Sequence, residues 1–281
     1  RVFLNGTGAR YDVIVADALY LADDPRAAAA LEEARDVLIE VGDRESAAEA
    51  EISLSRIAWQ AGKGQEARDH QARAEDFAGQ GSSPASARVL AVIARTRAIG
   101  GDPQGGMALA RQAMDMAAQL ALDEVRVHAL ATIGLAKSYL GDPTGTEDQR
   151  RALDLAIELR SSMAGTIANN IAVEAFFAFD HRLSEELFDE AQRIAERVGD
   201  AAGARWLRGQ KVPTAFVAGR WDEALADADT FIAECEAGSP HYLESSNRSM
   251  RARIREGRGD VEGALADSRR GVELARKTND P

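Results

Sequence analysis

Cysteine is almost missing from this chain. Cys235 is the one cysteine in 281 residues, so no disulfide can form within it, and an intracellular, cytoplasmic setting is the natural expectation. Proline is scarce at 7 and aromatics make up 5% of residues, which thins out the residue types that break helices and those that sheets favour. A basic excess is missing too. The formal net charge is −12, whereas duplex binding rests on a basic footprint that neutralises phosphates, so direct nucleic-acid binding is not expected. No apolar run approaches the roughly 20 residues of a membrane span, and no signal peptide is visible. What remains is an alanine-rich chain with 45% apolar and 28% charged residues, an ordinary composition for a folded helical protein.

A short motif organises the chain from end to end. It reads Asp23-Asp24-Pro25, Gly62-Lys63-Gly64, Gly101-Asp102-Pro103 and Gly141-Asp142-Pro143, then a degenerate copy at Phe179–His181, then Gly219-Arg220-Trp221 and Gly259-Asp260-Val261. Anchors near 23, 62, 101, 141, 180, 219 and 259 fall 39 or 40 residues apart, a period that signals stacked repeats. Glycine tolerates the left-handed backbone that closes a helix. The following Asp can cap the next helix, and Pro suits its first position. The motif therefore ends one helix and starts another. Five residues on comes a small side chain that lets two helices approach: Ala28, Ala67, Gly106, Ala224 and Ala264.

A second break follows each anchor by about twenty residues, as at Val41-Gly42-Asp43, Gly79-Gln80-Gly81-Ser82-Ser83, Val198-Gly199-Asp200 and Gly238-Ser239-Pro240. Each repeat is then a helical hairpin. The expected fold is an all-α, right-handed α–α superhelix of about seven hairpins and fourteen helices, forming one repeat domain over 1–281. Two helices illustrate the packing. From Leu183 to Val198, Leu183, Leu187, Ala191, Ile194, Ala195 and Val198 form a single apolar face. Around Ala129–Leu140 apolar residues nearly encircle the helix, which predicts packing on two sides. Pro213 falls inside an expected first helix of a hairpin, where it predicts a kink or break. The chain starts at Arg1 and stops at Asn279-Asp280-Pro281, where a new helix would begin; it reads as part of a longer protein.

Chemical motifs are wanting. Gly62-Lys63-Gly64-Gln65 lacks the first glycine and the hydroxyl residue of a phosphate-binding loop, and the glycine run 100–106 sits on the repeat period, so both read as turns. His70, His128, His181 and His241 fall in separate repeats with no paired spacing. Cys235 reads as a packing residue, and Glu32-Glu33 and Glu185-Glu186 as solvated faces. No catalytic residue, metal ligand or cofactor site is assigned.

Gly219-Arg220-Trp221-Asp222-Glu223-Ala224-Leu225 resembles the turn of the tetratricopeptide (TPR) repeat. Other stretches resemble the helical-repeat region at the C-terminal end of large bacterial signalling proteins that carry class III cyclase or AAA-type ATPase domains, and the repeats of large LuxR-type regulators. They include Leu122 through Ala129, Gly134 through Pro143, Ala168-Asn169-Asn170-Ile171-Ala172, Ala237 through Tyr242, and Arg258 through Leu265. The resemblance implies a TPR-like solenoid that binds a protein or peptide segment, or attached domains of its own chain, as a regulatory or scaffolding region. A LuxR-type parent would instead imply an effector-sensing arm. The degenerate anchor and Pro213 depart from the pattern, and no cyclase or ATPase motif is present.

Three sets of residues are candidates for partner contact. Asn169 and Asn170 can bond a peptide backbone or a neighbouring helix. Arg248, Arg251, Arg255 and Arg258, spaced 3, 4 and 3 along one side of a helix, can grip carboxylates or phosphates, or be neutralised by acids of the adjacent repeat. Arg205, with Arg208 and a core Trp206, forms a smaller set.

Overall fold

The structure, a computed structural model, describes residues 6–79 and 81–278. Arg1, Gln80 of the second break, and Asn279-Asp280-Pro281 lie outside the described residues. The described chain is all-helical, with fourteen helices in seven hairpins. The pairs are α1 (Gly6–Leu21) with α2 (Ala27–Glu40), α3 (Arg44–Gln60) with α4 (Gly64–Ala78), and α5 (Pro84–Ile99) with α6 (Pro103–Leu120). Next come α7 (Asp123–Tyr139) with α8 (Gly145–Glu158) and α9 (Met163–Phe177) with α10 (His181–Val198). The last are α11 (Ala201–Val217) with α12 (Trp221–Glu236) and α13 (Glu244–Gly257) with α14 (Val261–Thr278).

Turn chemistry sets these boundaries. Each of the thirteen connections carries one described residue with positive φ. After the odd-numbered helices these are Asp23, Gly62, Gly101, Gly141, Phe179, Gly219 and Gly259; after the even-numbered ones they are Gly42, Gly79, Ala121, Arg160, Gly199 and Gly238. The carboxylates of Asp43, Asp102, Asp180, Asp200 and Asp260 each accept from the amide three residues on, as capping requires. Two Asp-Pro copies behave differently. Asp24 and Asp142 accept from the amides of Arg26 and Thr144, each at 2.9 Å, and α2 and α8 begin two residues after the proline. In the first repeat Ala27 is therefore the fully buried small residue and Ala28 is only half-buried.

Close helix approach follows from those small residues. A Cβ on Gly106 would lie 2.6 Å from the Ala94 carbonyl oxygen, and one on Gly134 would lie 2.7 Å from Gln149 Cγ. Helix α7 is packed on two sides: Val127 and Ala131 join the core with α8 and α9, while Val125 and Ala129 join the one with α5 and α6. On α10 Phe188 is buried and Val198 is exposed, so the apolar face sits slightly off the sequence-based stripe.

Pro213 does not break its helix; α11 runs unbroken across it. Proline lacks the amide that would bond the carbonyl of Gly209. That carbonyl instead accepts from Asn247 Nδ2 of α13 at 3.3 Å, while the missing side chain of Gly209 makes room for the Phe231 ring, which a Cβ would meet at 2.7 Å. The next hairpin thus absorbs the defect.

The odd-numbered helices contact one another in series from α3 to α13 and form the inner layer, with the even-numbered helices outside. The superhelix also returns on itself, since α1 touches α11 and α4 touches α14. The backbone amide of Tyr242 donates to the Gln60 carbonyl at 2.9 Å. The Tyr242 ring lies 6.0 Å from that of Trp59, its hydroxyl accepts from Trp206 Nε1 at 2.7 Å, and Tyr20 donates to Gln60 Oε1 at 2.5 Å. Arg205 comes within 3.8 Å of Asp23. The seven hairpins therefore close into a ring.

Candidate functional site: the lumen of the ring

Closure leaves a half-open lumen of about 1620 Å³, walled mainly by the odd-numbered helices from α3 to α11, by one face of α4 and by the loop carrying Tyr242. Trp59, Trp206, Tyr139, Tyr242 and Phe177 supply aromatic surface, and Gln71, Asn169, Asn170 and Gln210 supply side-chain amides. Such a wall has flat apolar faces and groups that both donate and accept, suited to a polypeptide backbone.

Of the residues singled out from the sequence, Asn169 and Asn170 reach this wall. They are 3% and 8% exposed. Asn170 Oδ1 accepts a long hydrogen bond of 3.4 Å from Arg95 Nη2 of α5, while Asn170 Nδ2 and Asn169 Oδ1 have no hydrogen-bond partner in the protein. Trp206, expected in the core, is half-buried: one edge packs against Phe231 and Leu243 and the ring lines the lumen.

The arginine set lies elsewhere. Arg248, 6% exposed, donates to Glu244 at 2.8 Å, Glu236 at 2.6 Å and Asp267 at 3.2 Å. Arg251 makes two bonds to Asp267, at 2.6 and 2.8 Å, and one to Asp229 at 2.7 Å. Arg255 joins Asp267 at 2.8 Å, and Arg258 pairs with Asp222 at 2.6 Å. Burial pushes the Asp267 carboxyl up, but hydrogen bonds from Arg251 and the charges of Arg251, Arg255 and Arg248 outweigh it and hold it below the usual range. Asp267 of α14 therefore gathers three of the four guanidiniums into an ion network between α13 and α14. Arg205 is also buried. It donates to Glu234 at 2.9 Å and to the Ser239 carbonyl at 2.5 Å, and lies 5.4 Å from the centre of the Phe231 ring. It ties α11 to α12 and to the ring closure.

Sequence reasoning missed Arg95, His128, Trp59 and Tyr242. The repeat register held a signal for Arg95. Asp17, Arg56, Arg95 and Leu135 each stand six residues before a turn residue of positive φ. Arg56 reaches back to Asp17 at 3.0 Å and stacks over Tyr20 at 4.2 Å. Arg95 finds Arg56 on one side and Leu135 on the other, so the ladder gives it no carboxylate. His128 sits nearby in the same wall; burial and then the Arg95 charge hold its imidazole down to about 3, so it is neutral in ordinary buffers, and its Nδ1 has no partner.

Nucleophilic chemistry has little support here. Cys235 is buried in α12, and burial pushes its thiol up to about 11, which leaves it protonated and unreactive near neutral pH. Among the described residues no group of three or more His, Cys, Asp or Glu side chains is placed to hold a metal ion, and no helix is long and apolar enough to cross a membrane.

No protein-family model and no curated protein matches the sequence. Solved structures do match in fold. A Rap protein complexed with competence and sporulation factor superposes with a TM-score of 0.69 at 14% identity, over 98% of this chain and 77% of that one. Aspartyl phosphate phosphatase F from Bacillus subtilis gives 0.56 at 15% identity, over 96% and 70%. A signal-transduction ATPase with numerous domains and a tetratricopeptide-repeat sensor, from Pyrococcus horikoshii, gives 0.58 at 11% identity, over 92% of this chain and 39% of that one. At these identities the likeness establishes the fold alone: the chain is a TPR-like α-solenoid.

Proposed function

We propose that this chain is a non-catalytic interaction and regulatory module whose lumen receives an extended segment of a partner protein or of another part of its own chain. The observation that carries this reading is the size and lining of the cavity. At about 1620 Å³ it exceeds the roughly 300–1,000 Å³ of a small-molecule pocket, and its amides and aromatics suit a backbone. The volume favours a polypeptide segment over the small effector that a LuxR-type sensing arm would take. A Rap protein of similar fold is itself known in complex with a factor, which supports a binding role here.

In its finer form, the seven hairpins act as one domain in the C-terminal sensor or scaffold region of a bacterial multidomain signalling protein of the cyclase or ATPase type. The stretches around 122–143, 168–172 and 237–265 support that parent, as does the fold shared with a repeat sensor attached to an ATPase. The role needs no cofactor.

A peptide array probed with the folded chain tests the lumen. Thr166 lines it, so Thr166→Trp should place a bulky ring in the path of a bound segment while leaving the outer surface unchanged. Peptides captured by the parent chain are expected to lose at least tenfold in affinity on this variant. Undiminished capture would move the binding face elsewhere, and no capture by either protein would remove the reading.

A further inference from the structure

A guanidinium inside a ring of helices needs an anion, and Arg95 has none. Among the described residues no carboxylate lies within ion-pairing distance of it. Among the described residues its Nη1 has no hydrogen-bond partner, and the bond from its Nη2 to Asn170 is long at 3.4 Å. Of the four acids that line the lumen, Glu124 accepts from Ser161 at 2.7 Å, Glu174 accepts from Thr146 at 2.8 Å and from Gln149, Asp142 accepts from the amide of Thr144 at 2.9 Å, and Glu75 forms no ion pair with Arg95. Besides burial, the groups that bear most on Arg95 are the phenols of Tyr139 and Tyr242, neither of them a carboxylate. Buried charges in folded proteins are normally paired.

Three further groups face the same wall with unused bonding capacity: Asn169 Oδ1, Asn170 Nδ2 and His128 Nδ1. Both asparagines are more than nine-tenths buried. The set offers one fixed positive charge, one amide donor, one amide acceptor and a neutral imidazole. From these we infer that the α5–α7–α9 wall is a built anion site, in which Arg95 takes a carboxylate of the lumen's ligand and Asn169, Asn170 and His128 bond the polar atoms beside it. A planar carboxylate fits a guanidinium through two parallel bonds, and Asn170 Nδ2 can donate to the same group. This rests on the reading that the lumen binds a segment, and it adds that the segment presents a carboxylate there. The same chemistry is shared by a free small carboxylate, and the experiment separates the two sources.

The full chain, labelled with 15N at arginine side chains, would be titrated with sodium succinate and with a pair of hexapeptides of one sequence. One peptide carries a free C-terminal carboxylate and its twin an amide. The expected result is a saturable shift of the Arg95 Nε resonance with the free-acid peptide, at least tenfold weaker with the amide. Arg95→Gln should abolish the response and Arg95→Lys should retain part of it, with circular dichroism confirming that both variants fold. A response to succinate alone assigns the site to small carboxylates and removes the segment-binding reading while keeping the anion site. Peptides that bind equally with acid or amide ends, and to Arg95→Gln as to the parent, overturn the anion site and leave the segment reading standing. No response of Arg95 to any probe also overturns it.

Discussion

At the scale of single residues, the left-handed turn positions set the local rules of this solenoid. Nine of the thirteen are glycine and four are Asp23, Ala121, Arg160 and Phe179. An L side chain in that region costs roughly 1–2 kcal/mol, and Phe179 gains little in return because it is 83% exposed. Phe179→Gly should therefore stabilise the protein by about 1 kcal/mol net of the extra freedom glycine has when unfolded, a rise in melting temperature of about 2–4 °C for a chain of this size. Calorimetry of the two proteins checks it, and a lower melting temperature would mean the ring makes contacts worth more than the strain. Legibility at this scale was high because turn chemistry is local. The degenerate anchor could be placed without its glycine because the period located it and Asp180 still caps α10. Arg95 was legible only in principle: its isolation emerges when Asp17, Arg56, Arg95 and Leu135 are compared at one register position.

At the scale of elements, sequence periodicity put Arg248, Arg251, Arg255 and Arg258 in a row but could not name their partners. Those lie on neighbouring helices, and pairing across a hairpin depends on the crossing geometry rather than on spacing within one helix. Asp267 is 2% exposed in its side chain and bonds Arg248, Arg251 and Arg255 at once. Removing its charge leaves three guanidiniums close together with fewer counter-ions. Asp267→Asn should cost on the order of 3 kcal/mol and loosen α14 first, which urea denaturation and hydrogen exchange resolved along α13–α14 would measure. The pH dependence has a fixed sign. Because the folded carboxyl titrates below its ordinary value of 3.8, its stabilisation is fully present above that value and is lost as pH falls through the folded value. The variant should lack this acid-limb contribution; an identical acid limb in both proteins would mean that the network contributes nothing to folding. Pro213 teaches a similar lesson. From sequence it reads as a breaker, yet Gly209 and Asn247, one on its own helix and one on the next hairpin, together accommodate it.

At the scale of the whole molecule, the architecture of hairpins follows from the period, but the closure of the ring does not. Closure depends on small rotations accumulated over successive repeats, none of which any single motif encodes. Its chemistry is nonetheless concrete: Gln60 and Trp59 on one side meet Tyr242 on the other, and Asp23 meets Arg205. A solenoid held only by neighbour contacts would be indifferent to these residues, whereas a closed one is not. The double substitution Trp59→Ala with Tyr242→Ala removes the ring contact across the seam, and with it the Trp206 bond that holds Tyr242 in place, while leaving each hairpin its own core. A compact chain of this length has a radius of gyration of about 19 Å, and opening should raise it by several ångströms in small-angle scattering at unchanged helical content. Opening would also admit bulk water to the Arg95 wall, weakening every electrostatic contact made there, so carboxylate binding should fall together with the rise in radius. A variant that stays compact and binds as before would show that the inner helices alone set the curvature, and that the aromatic seam merely covers a ring already closed.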